Sequence, residues 1–154
     1  MQKLKKRLLN LAIGEFVALI AFILVYRSFD LGRASLFAIL YLLFILLQGS
    51  LYWFYRYRLI LDKRKVGAHI IKILRFTRRL NLILLIIIGV SIPFIHNSLT
   101  DLIAAIGIFM FGVIEYINYY WYRLSYGRSG FNLKILLNTK LQKSSIHKLI
   151  SKLP

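Results

Sequence analysis

The chain has 154 residues, 59% hydrophobic and 15% aromatic, a balance outside the range of soluble domains and suited to a lipid bilayer. Its 22 basic residues against 5 acidic give a formal charge of +17, and because they stand in short blocks beside long apolar runs the implied partner is anionic lipid and not nucleic acid. The absence of cysteine excludes disulfides, thiolate metal sites and thiol catalysis.

The N-terminal arm, with Lys3, Lys5, Lys6 and Arg7, leads into a first apolar run at 8–26. Its basic start resembles a signal peptide, but the run is long, contains Glu15 and is not followed by a small-x-small cleavage site, so an uncleaved first span is expected. A second run at 34–55 ends on Tyr52, Trp53, Phe54 and Tyr55. The third, at 80–95, is the shortest; it gains length where Thr77, Arg78 and Arg79 lie in the interface with the arginines snorkelling outward, and Pro93 marks its far end. The fourth, at 102–122, ends on Tyr119, Tyr120, Trp121 and Tyr122. Each run approaches the roughly 20 residues needed to cross a hydrocarbon layer about 30 Å thick. The expected fold is therefore an all-α membrane protein of four transmembrane helices arranged as two helical hairpins.

Between the second and third spans, Val66, Ile70, Ile73 and Leu74 recur at helical spacing within 56–79. Both neighbouring helices should project into the interface around a turn at Lys65-Val66-Gly67, presenting Lys63, Arg64, Lys65, Lys72, Arg75, Arg78 and Arg79 to the membrane surface. The chain then divides into a four-span domain, 1–126, and a basic tail, 127–154. In the tail Leu133, Leu136, Leu137 and Leu141, then Ile146, Leu149 and Ile150, alternate with lysines, the pattern of a basic amphipathic C-terminal helix lying on an anionic leaflet. Ser144 or Ser145 is placed to cap its last segment.

Sorting the cations by segment sets the topology. The N-terminal arm, the 56–79 segment and the stretch from Arg123 onward hold twenty of them, and the two other loops hold only Arg27 and Arg33. By the positive-inside rule both termini face the cytoplasm and the protein belongs in the cell membrane. The aromatic clusters closing the second and fourth spans are at headgroup depth on that side.

The two halves echo one another. Asn10 and Asn81 open the first and third spans, Asp30 and Asp101 stand at the outer turns, and both pairs are 71 residues apart. The echo suggests a tandem duplication with both copies in the same orientation.

Two charged residues lie within the apolar runs, Glu15 and Glu115, each seven residues and so about 10 Å from the cytoplasmic end of its span. Gln48 shares that level, and Asn118 and Tyr119 lie one turn from Glu115. On the fourth helix Ala105, Ile108, Gly112, Glu115, Tyr119 and Tyr122 share a face that is small at one end and polar at the other. A carboxylate in hydrocarbon must face the bundle, find a partner or stay protonated. Two readings are open: a proton- or cation-binding site in which the carboxylates resist simultaneous ionisation, or a structural polar knot with Gln48, Asn118, Tyr119 or an arginine such as Arg56. His69, His96 and His147 have no metal-ligand spacing, and neither Ser50 nor Ser91 has a histidine partner, so neither cofactor nor enzyme activity is expected.

The order Ile13-Gly14-Glu15-Phe16-Val17 resembles the first span of small multidrug resistance transporters, which implies a proton and drug site at Glu15. The basic segment 56–79 and the extended tail depart from that family. Gln48-Gly49-Ser50 with Tyr52-Trp53, and Glu115-Tyr116-Ile117-Asn118-Tyr119, resemble small uncharacterised four-span membrane proteins of low-GC Gram-positive bacteria, sometimes labelled general stress proteins. These resemblances imply a non-enzymatic protein of stress or envelope protection, a class that also includes bacteriocin immunity proteins, or else a small proton-coupled cation or drug exporter. Either would work with a second copy or another membrane protein as partner.

Overall fold

A computed structural model describes residues 2–64, 66–124 and 142–151. Four long helices, α1 (Gln2–Arg27), α2 (Arg33–Leu61), α3 (Ala68–Ile95) and α4 (Leu99–Tyr120), are each long and apolar enough to cross a membrane, and a short α5 (Ser145–Ile150) follows. This is an all-α, multi-pass membrane fold. The helices run past the apolar limits read from the sequence. α2 and α3 extend into the basic segment 56–79, and the turn after α2 falls at 62–64, ahead of the expected Lys65-Val66-Gly67, with Gly67 as the N-cap of α3. Arg64 N–H closes that turn on the Leu59 carbonyl at 3.0 Å, with Lys63 in the left-handed region at φ 53°. α4 stops at Tyr120, two residues short of the expected end, because Trp121 and Tyr122 turn toward the tail.

α2 is the hub. Half of its apolar stretch is buried, against 11% for α1, because α1 packs closely along α2 and meets α4 only through side chains, whereas α2 also carries α4 and α3. Ala34, Ala38, Leu42 and Ile45, all fully enclosed, form the seam. The small face expected on α4 meets it there: Ala105 is fully buried and the Tyr41 ring lies against Gly112, where a Cβ would be 2.9 Å from ring carbons. Ser50 Oγ donates to the Ala12 carbonyl at 3.0 Å, fastening α1 to α2. Outward faces carry Phe94 (83% exposed), Leu99, Val90, Ile103 and Val17, apolar surface that lipid tails would cover.

At the end of the bundle away from most cations, α2 begins at Gly32, whose missing side chain cannot cap the helix. Asp101, from the first turn of α4, does so instead. Its carboxylate accepts Ala34 N–H at 3.2 Å, Ser35 N–H at 3.0 Å and Asn97 N–H at 3.1 Å, while its own N–H donates to Ser98 Oγ at 3.1 Å. One buried carboxylate thus satisfies amides at the positive ends of two helices. A Cβ on Gly32 would run into that carboxylate, so the position needs glycine for close approach.

The proposed halves do not sit alike. Asn81 and Asp101 are buried, whereas their counterparts Asn10 and Asp30 are exposed. The echo at an offset of 71 has no match in packing.

Candidate functional site

The polar residues expected in one layer separate into two groups on opposite sides of α4. Successive residues of a helix point about 100° apart, so Tyr119 and Tyr120 face different neighbours.

Tyr120 points toward α2 and α3. Gln48 Oε1 accepts from the Asn81 amide and from the Tyr120 hydroxyl, both at 2.8 Å. That hydroxyl lies 3.1 Å from Thr77 Oγ1, and Asn81 Nδ2 also donates to the Thr77 carbonyl at 2.7 Å. Asn81 is fully buried and Tyr120 nearly so. This knot fastens three helices. Gln48, expected beside the glutamates, belongs to it and does not line their site. Thr77, Asn81 and Tyr120 are the members that the sequence did not single out as partners of Gln48; the signal was Asn81 at the start of the third apolar run, one turn beyond Thr77.

Tyr119 points the other way, across Gly49 of α2, where a Cβ would collide with its ring and hydroxyl. It meets Glu15 of α1 and Glu115 of its own helix on the floor of a cavity of about 530 Å³. The carboxylates are close enough to interact, and Glu115 accepts from Asn118 Nδ2 at 3.3 Å. Neither glutamate has an ion pair among the described residues; the arginine partner expected from Arg56 is not made, because Arg56 stays at the rim. Tyr119 is 4% exposed, and its hydroxyl lies near both carboxylates without reaching hydrogen-bonding geometry with either.

The cavity opens toward the basic end. Arg7, Arg56, Arg123, Lys143 and Lys148 line it there, with the Trp53 ring as part of the α2 wall. One wall comes from the tail. Arg123 N–H donates to the Gln142 carbonyl at 2.9 Å, Ser144 N–H to the Trp121 carbonyl at 3.0 Å, and Ser144 Oγ to the Tyr119 carbonyl at 2.5 Å. The two bonds from Ser144 satisfy carbonyls left over at the end of α4. Ser144 also caps α5, accepting His147 N–H at 3.0 Å, as its position in the sequence suggested.

The apolar side of α5 does not face lipid as expected of a surface helix. Ile146 and Ile150 are buried against α3 and α4, Tyr52 and Ser145 hydroxyls meet at 2.6 Å, and Arg75 donates to the Ile150 carbonyl at 3.3 Å. Bonding to the bundle end outweighs lipid contact for so short a segment. The earlier tail leucines and Lys65 lie outside the described residues. Among the surface cations, Lys63, Arg64, Lys72 and Arg79 are exposed, while Arg78 stacks 4.2 Å from the centre of the Trp121 ring.

No protein-family model, curated protein or solved structure matches the chain.

Proposed function

We propose that this is a cell-membrane protein, with both termini cytoplasmic, that works by binding and not by catalysis: the Glu15–Glu115 pair takes up a cationic group in exchange for a proton, in the service of envelope protection. The observation that carries the reading is two carboxylates lining one cavity beside a buried tyrosine hydroxyl, with no ion pair to either carboxylate among the described residues. Like charges in a semi-enclosed site resist simultaneous ionisation, so the pair retains a proton that a cation replaces. The structural alternative is less needed because Gln48, Asn81, Thr77 and Tyr120 already knit α2, α3 and α4 at this depth, and Ser50 fastens α1 to α2, without either glutamate.

Purified protein in detergent, titrated with a hydrophobic cation such as tetraphenylphosphonium in weakly buffered solution, should release protons on binding. Glu15→Gln and Glu115→Gln should each reduce affinity at least about tenfold, the loss expected for one charge-assisted contact. Binding without proton release, or binding unchanged in both variants, would end the proposal.

A further inference from the structure

The order of charges along the cavity deepens that reading and identifies a ligand class for the same carboxylate site. A simple cation must pass the basic rim to reach Glu15 and Glu115, and a simple anion held at the rim leaves those carboxylates unmet. A ligand with a negative group followed by an amine satisfies both levels. Arg7 and Glu15 are eight residues apart on α1, about 12 Å of helix rise, and a flexible basic side chain can shorten that span.

The walls indicate where such a ligand resides. No Cα of α1 comes within 8 Å of a Cα of α4, and the two helices touch through the rings of Phe22 and Phe111, 5.3 Å apart, in the half away from the basic rim. The cavity occupies the slot between them on the basic side. Its lining includes Ile114, 36% exposed within the fourth span, and Leu4, 49% exposed beside the basic arm, so its wall reaches the outer surface of the bundle. Tyr119 lines it too, its buried hydroxyl lying beside the two carboxylates and hydrogen-bonded to neither.

We infer that the occupant is a phospholipid whose headgroup carries a phosphate and a primary amine, admitted sideways between α1 and α4. Its phosphate meets the rim cations, its ammonium meets Glu15 and Glu115, and its acyl chains remain in the bilayer. The assignment rests on the proposed cation-binding role of the glutamate pair.

Trp53 lines the cavity and Trp121 is the other of the two tryptophans, so full-length protein carrying Trp121→Phe reports from Trp53 alone. In maltoside micelles, acyl-brominated phosphatidylethanolamine should quench this indole at about tenfold lower concentration than brominated phosphatidylglycerol, which lacks the amine. Glu15→Gln with Glu115→Gln should bring the two lipids level, and Arg7→Gln with Arg56→Gln should weaken both. Native mass spectrometry of the wild-type chain with the same two lipids gives an independent measure should Trp121→Phe fold poorly. Equal retention of the two lipids by the wild type, or displacement by free phosphoethanolamine as readily as by the lipid, overturns the inference. If decylamine binding depends on the glutamates while the lipids bind alike, the cation-site reading stands and only the lipid assignment falls. If neither amine nor lipid responds to the glutamates, both fall.

Discussion

The Asp101 carboxylate accepts the backbone N–H of Ser35, 66 residues away in the chain, at 3.0 Å and so stands in for the N-cap side chain that Gly32 cannot provide. Through that contact the start of α4 fixes the start of α2. Asp101→Ala leaves buried amides of two helix ends unsatisfied, and thermal denaturation in detergent should register a loss of about 1–3 kcal/mol. Asp101→Asn, which keeps one acceptor oxygen, should lose less. Equal stability of Asp101→Ala and the wild type would show that the cap contributes nothing.

Tyr119 and Tyr120 are neighbours with opposite expected behaviour. Removing the Tyr120 hydroxyl breaks its bond to Gln48 and its contact with Thr77, so Tyr120→Phe should destabilise by about 1–2 kcal/mol. The Tyr119 hydroxyl makes no hydrogen bond among the described residues, so Tyr119→Phe should leave the melting temperature unchanged or slightly higher while weakening ligand binding. Melting curves and a binding titration on both variants separate the cases; a large stability loss in Tyr119→Phe would point to a structural role.

The two polar groups should respond differently to neutralisation. Gln48→Leu or Asn81→Leu strands partners in the three-helix knot and should lower resistance to denaturation by about 1–3 kcal/mol. Glu15→Gln and Glu115→Gln keep shape and hydrogen-bonding capacity, so unfolding should shift little even as cation-linked proton release disappears.

Gly49→Ala tests the passage of Tyr119 over α2. A methyl group there collides with the tyrosine ring, which must move off the cavity floor. Ligand affinity should fall as far as in Tyr119→Phe, with an added loss of stability from the disturbed helix contact. Unaltered binding in Gly49→Ala would mean that Tyr119 need not occupy this place.

Ser144→Ala removes the cap of α5 and the bond to the Tyr119 carbonyl together. Hydrogen exchange should quicken across 142–151, and binding should weaken because this segment forms a wall of the cavity. Exchange in the spans should stay as it was, since their packing does not depend on Ser144.

The cellular placement has its own tests. Reporter fusions at the two ends should both read cytoplasmic, and a strain lacking the protein should be more sensitive than its parent to cationic drugs, bacteriocins or envelope stress. Ends in different compartments would contradict the charge-based topology.

Amino-acid order alone determined the membrane class and the number of spans, because hydropathy and helical spacing are properties of neighbours along the chain and a bilayer demands about 20 apolar residues per crossing. It also singled out Glu15, Glu115, Asn118 and Tyr119, since a polar group in an apolar run stands out without reference to any fold. Which of these groups meet was decided by rotation about the helix axes, and that depends on how α2 seats its neighbours. The same layer of polar side chains therefore became a knot on one side of α4 and a cavity on the other. Asp101 carried no local sign that it would cap a helix 66 residues earlier, and the tail gave no sign that Ser144 would close the end of α4. Such contacts exist only once distant backbone groups, unsatisfied at helix ends, are brought within about 3 Å of a side chain that can bond them.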